Sequence, residues 1–81
     1  MPETMMGQVI EYLAKALVDD PDQVKITETD DGDRIVIRLD VAEGDWGKVI
    51  GKGGRSASSM RSMMKVAAVK EDVRVGLEIG D

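Results

Sequence analysis

The sequence predicts an α+β fold: one three-stranded mixed sheet with three helices packed on one face. Three observations carry this. Two alternating apolar stretches flank an Asp-Gly turn signal, a third ends the chain, and segments of helical apolar spacing fill the intervals. A hairpin makes the first two strands antiparallel, and two helices between the second and third strands suit a parallel, right-handed crossover. The order is α-β-β-α-α-β.

Thr4 is a candidate N-cap, followed by Met5, Met6, Val9, Ile10, Leu13, Ala16 and Leu17 at helical spacing. This helix should end at Asp19-Asp20-Pro21, because the residue before a proline leaves the α region. A strand over Gln23–Thr29 places Val24 and Ile26 on one face. Asp30-Asp31-Gly32-Asp33 then signals a tight turn. The next strand, Arg34–Val41, sets Ile35, Ile37, Leu39 and Val41 against Val36, Arg38 and Asp40. Asp45 is placed to cap a short helix, Trp46–Ile50. A second helix over Ser56–Val69 carries the stripe Ala57, Met60, Met63, Met64, Ala67 and Ala68, and Val73, Val75, Leu77 and Ile79 alternate in the last strand.

With 81 residues the chain supports one domain, residues 1–81, and a core that leaves about 40% of the extended-chain surface exposed. Cysteine and histidine are both absent, which removes disulfides and the commonest general base and metal ligand. Tyr12 and Trp46 are the only aromatic residues, so Val, Ile, Leu, Met and Ala must fill the core. Met1-Pro2-Glu3-Thr4 has no basic n-region, and no stretch approaches the ~20 apolar residues of a membrane span; a cytoplasmic location without membrane association is the expectation.

The net charge of −5 argues against a nucleic-acid partner until its distribution is mapped. Residues 1–45 hold four cations and twelve acids, whereas Trp46–Lys70 holds six cations and no acid. A local field of this kind attracts a phosphate chain even when the sum is negative.

The acid-free stretch contains Val49-Ile50-Gly51-Lys52-Gly53-Gly54-Arg55. Three glycines free backbone amides from Cβ obstruction, and a loop that opens a helix favours phosphate. A P-loop would need four residues between its glycines, but only three separate Gly47 from Gly51, and the Ser/Thr after the lysine is Gly53. A dinucleotide fingerprint from Gly51 would need glycine where Ser56 stands. Three glycines in a turn without a ligand would cost roughly 0.5–1 kcal/mol each in chain entropy relative to alanine, which favours a backbone-binding loop over a mere turn.

The segment resembles the GXXG loop of KH domains, a helix–loop–helix clamp on four backbone nucleotides. The α-β-β-α-α-β order resembles the type II, prokaryotic KH topology. Length, the lead-in Asp45-Trp46-Gly47-Lys48 and the Arg55…Arg61 helix are similar to the small bacterial single-KH proteins of the KhpA type. The resemblance covers essentially the whole chain. It implies single-stranded RNA binding, in an RNA chaperone or post-transcriptional regulator. Gly51, Lys52, Gly53 and Gly54 would hold the phosphate backbone, flanked by Lys48 and Arg55. Val49 and Ile50 would form an apolar floor under the bases, opposite the last strand. The family also implies homodimers and complexes with a second KH protein of the KhpB (Jag) type.

Other candidates are weaker. Arg61 and Lys65 share a helix face that suits solvent and RNA equally. Ser62-Met63-Met64-Lys65 matches the Ser-x-x-Lys spacing without its companion motifs, and Asp30, Asp31 and Asp33 lack the closing glutamate of an EF-hand. No enzyme, cofactor or metal is expected. The competing view is a protein-interaction or dimerisation module on a KH scaffold, suggested by the methionines Met5, Met6, Met60, Met63 and Met64.

Overall fold

The computed structural model describes residues 4–80, with Glu71 described by its backbone alone. The start Met1-Pro2-Glu3, read above for targeting signals, lies outside these, as does Asp81.

Helix α1 is Met5–Leu17. Thr4 caps it as expected: its Oγ1 accepts from the Gly7 amide at 2.9 Å. The Thr4 hydroxyl and amide also donate to the Glu28 carboxylate, which fastens the helix start to the sheet. The buried stripe is Met6, Ile10 and Ala14. Met5 and Val9 fit the same period but lie one step around the helix, and both are exposed.

Strand β1, Lys25–Asp30, pairs antiparallel with β2, Ile35–Asp40, from Lys25↔Asp40 to Asp30↔Ile35. It starts two residues later than expected, because Pro21–Gln23 form a 3-10 turn with the proline leading it. The hairpin loop has four residues, 31–34, rather than the tight turn that Asp-Gly suggests. Carboxylates dictate this: Asp31 Oδ1 accepts from the amides of Arg34 (2.9 Å) and Asp33 (3.1 Å), and Asp30 Oδ1 from Gly32 (2.9 Å). The amides of Arg34 and Asp33 also hold the Asp31 carboxyl below its ordinary pKa.

After a 3-10 turn at Glu43–Asp45, α2 is Trp46–Ile50 and α3 is Arg55–Glu71. Helix α3 ends on Asp72, a left-handed residue (φ 57°), and the Val73 amide donates back to the Ala68 carbonyl at 2.9 Å. That ending delays strand β3 to Val75–Ile79, so Val73 lies outside the strand expected to begin there. Strand β3 pairs parallel with β2, from Ile35↔Val75 to Leu39↔Ile79, giving the order β1-β2-β3 with β2 in the middle.

The alternation of β2 sends Ile37 and Leu39 to the helix-covered face. There they join Met6, Ile10, Ala14, Val49, Met60 and Met64 in one core. Ile10, Ile37, Leu39 and Val49 are fully buried, each stabilising by about 1.5–3 kcal/mol relative to exposure. On the other face Arg38 pairs with Asp40 (3.3 Å) and Glu78 (3.9 Å) in solvent. The three helices therefore pack on one face, and the short α2 is held by a single fully buried side chain, Val49.

Candidate nucleic-acid interface

Helix α2 runs directly into the glycine loop. Gly51 takes φ 78°, ψ 168°, a conformation open only to glycine, while its amide still donates to the Gly47 carbonyl at 2.9 Å. Lys52–Gly54 then form a 3-10 turn, closed by the Gly54 amide on the Gly51 carbonyl at 3.0 Å. Gly53 (φ 67°) and Gly54 (φ 77°) are left-handed, and Arg55 opens α3. All three glycines are thus required by positive φ.

Their surroundings differ. A Cβ on Gly51 would lie 2.5 Å from Ser56 Oγ and 2.8 Å from the Ser56 amide nitrogen, so this glycine faces inward. A Cβ on Gly53 or Gly54 would meet nothing within 4 Å. The Lys52 and Gly53 amides have no acceptor among the described residues. The outer half of the loop is therefore bare backbone with two free donors.

Lys52, Arg55, Arg61 and Lys65 are exposed, and among the described residues none has a carboxylate within ion-pair distance. Arg61 and Lys65 line a groove of about 240 Å³ between α3 and β3, with Met64, Val75, Gly76 and Leu77. Arg55 lies at the other side of α3, beside an apolar hollow shared with Leu13, Ala16, Leu17 and Met60.

Two members of the sequence-derived set are placed differently. Val49, expected under the bases, is 0% exposed and belongs to the core, so it supports the loop from below. Its neighbour Ile50 is 39% exposed. The ammonium of Lys48, expected beside phosphate, sits 2.7 Å from Asp19 Oδ2 and 3.3 Å from Asp45 Oδ1.

Asp45 departs from expectation too. It makes no side-chain cap to α2. Its carboxylate, 4% exposed, accepts instead from the amides of Asp19 (3.2 Å) and Asp20 (3.1 Å), just beyond α1, and from Lys48. The Asp45/Lys48 spacing was visible in the sequence, but a partner 26 residues away was not.

Burial opposes the charge on Asp45, but the amides of Asp19 and Asp20 and the Lys48 ammonium outweigh it and hold its pKa below the ordinary value. Asp19 and then Asp45 raise that of Lys48. A lowered folded pKa stabilises above the unfolded value and is lost as pH falls through the folded one; a raised lysine stabilises below its unfolded value and is lost as pH rises. The tie is therefore intact between about pH 4 and 10. We expect the thermal midpoint of the wild type to exceed that of Asp45→Asn at neutral pH, and the gap to narrow below about pH 4. Thermal melts across pH check this, and a gap unchanged down to strong acid contradicts it.

A helix–Gly-x-x-Gly–helix unit joining the last two strands of a three-stranded mixed sheet is the signature of a KH domain. The model of the KhpA/KhpB KH domain matches residues 7–79, and the chain belongs to that family. It is 50% identical over 74 residues to the RNA-binding protein KhpA of Caldanaerobacter subterraneus subsp. tengcongensis, covering 91% of this chain and 99% of that protein. The RNA-binding protein KhpA of Halalkalibacterium halodurans is 49% identical over 76 residues, 94% of this chain and 100% of that protein. With the Chlamydia trachomatis protein of the same name the identity is 39% over 74 residues, 91% of this chain and 95% of that protein. No solved structure gives a significant match. Among the described residues no helix is long and apolar enough to cross a membrane.

Proposed function

We propose that this chain is a non-catalytic binder of single-stranded RNA, of type II KH class, acting in the cytoplasm as an RNA chaperone or post-transcriptional regulator. The observation that carries the reading is the outer loop: two free amides and two unobstructed glycines in a stretch without acids. Phosphate accepts from the Lys52 and Gly53 amides. Gly51 and Gly54 shape the turn, Lys52 and Arg55 supply charge, and Ile50 offers apolar contact to a base. Arg61 and Lys65 extend the positive surface toward β3. RNA binding agrees with the name of the relatives, RNA-binding protein KhpA.

Affinity for a short single-stranded RNA, measured by fluorescence anisotropy over a salt series, tests the reading. Three or four neutralised phosphates give a log–log slope of roughly −2 to −3, at about −0.7 each. Absence of binding, or binding indifferent to salt, overturns it.

A second reading has its own support. Met5, Val9 and Met63 are exposed around a small apolar hollow of about 100 Å³ between α1 and α3. Such a face suits a homodimer or a KhpB-type partner, and both roles are compatible with an open loop.

A further inference from the structure

We propose that Asp45 is the positioning residue of the glycine loop, and that Lys48 belongs to the tie it makes rather than to the phosphate contacts. The inference rests on the RNA-binding reading and assigns the two residues on which that reading is silent.

Helix α2 has five residues, too few to hold itself in water. Its direction sets where Gly51–Gly54 point, so it must be fixed from outside. Val49 anchors its middle in the core. At its start the Asp45 carboxylate spans two elements, accepting from the amides of Asp19 and Asp20 at the exit of α1 and from Lys48, one turn into α2. A carboxylate this buried persists only when its oxygens are matched. Here three donors converge on it, which makes the junction directional and not merely adhesive. Removing it leaves the amides of Asp19 and Asp20 without that acceptor and frees the start of α2 to tilt.

Lys48 serves the same junction. One ammonium faces two carboxylates, at 2.7 and 3.3 Å, so the group carries net negative charge. A phosphate arriving there would be the third anion around one cation. Lys52, with no acid near it in sequence from Trp46 to Lys70, is the contrasting case.

The experiment compares Asp45→Asn, Asp45→Ala, Lys48→Met and Lys52→Met with the wild type. It uses a short fluorescein-labelled single-stranded RNA of mixed sequence, over a salt series, at a temperature where circular dichroism shows each protein folded. The Asp45 variants and Lys48→Met should lose affinity on the order of tenfold, the effect expected on removing an orienting partner, while keeping the wild-type salt slope. Lys52→Met should lower the slope by about 0.7. In amide NMR spectra without RNA, the Lys52 and Gly53 resonances should shift or broaden in the Asp45 variants. If Asp45→Ala does not fold, Asp45→Asn decides, since its remaining carbonyl oxygen still accepts from a backbone amide. A folded Asp45→Asn with wild-type affinity and unmoved loop resonances overturns the proposal, as does Lys48→Met lowering the slope as Lys52→Met does. Should the wild type bind no RNA, the functional reading fails. The loop resonances then decide the positioning claim alone: moved they support it, unmoved they overturn it.

Discussion

Replacing Lys52 and Gly53 together by aspartate should abolish RNA binding, leave helix content unchanged and lower the thermal midpoint by only several degrees. Lysine to aspartate changes the local charge by −2 and glycine to aspartate by −1, so the loop moves by −3 at the point where phosphate would sit. Like charges brought together cost several kcal/mol, and about 3 kcal/mol is already a hundredfold in affinity. The fold should tolerate the change for geometric reasons. Lys52 is exposed and unpaired among the described residues, and a Cβ on Gly53 meets nothing within 4 Å. Gly53 sits at φ 67°, ψ 18°, in the left-handed region that aspartate enters more readily than most residues, at a cost of about 1 kcal/mol. Anisotropy titration beside circular dichroism reads both halves. A folded double variant that binds RNA like the wild type would remove the loop from the interface.

The elements that could be read from sequence are those whose side chains report a period. Ile37 and Leu39 are buried because β2 is central and alternates. Met60, Met64 and Ala68 are buried at helical spacing on α3. Boundaries were less legible, because hydrogen bonds of particular polar groups set them. The Asp30 and Asp31 carboxylates widened the hairpin loop, and left-handed Asp72 postponed β3. Within the site, the glycines were legible because their requirement is a backbone one, recorded in residue type. Val49 was not: in a five-residue helix the adjacent pair Val49 and Ile50 gives no period to say which faces inward. Asp45 was hidden for a different reason. A carboxylate before a short helix looks like a cap, and only the folded chain brings the amides of Asp19 and Asp20 to it.

Gly51→Ala should be the most damaging substitution in the loop for the fold itself, although it adds one methyl group and no charge. Two effects act together. The φ 78°, ψ 168° backbone is essentially closed to residues with a Cβ, at a cost of order 1–3 kcal/mol. The new methyl would also lie 2.5 Å from Ser56 Oγ and 2.8 Å from the Ser56 backbone nitrogen. The serine side chain can rotate away, but its amide is fixed in the first turn of α3, so either the loop or the helix start must move. Overpacking of this kind adds about 1–3 kcal/mol. The sum, about 2–6 kcal/mol, is a large part of the 5–15 kcal/mol that stabilises a domain of ordinary size. Gly53→Ala is the control, with open space around it and an expected cost of about 1–2 kcal/mol from its left-handed backbone alone. Urea denaturation of the two variants should separate them clearly. Equal midpoints would mean that Gly51 is not the inner hinge of the loop, and that the close approach of α2 to the start of α3 is not what holds the loop in shape.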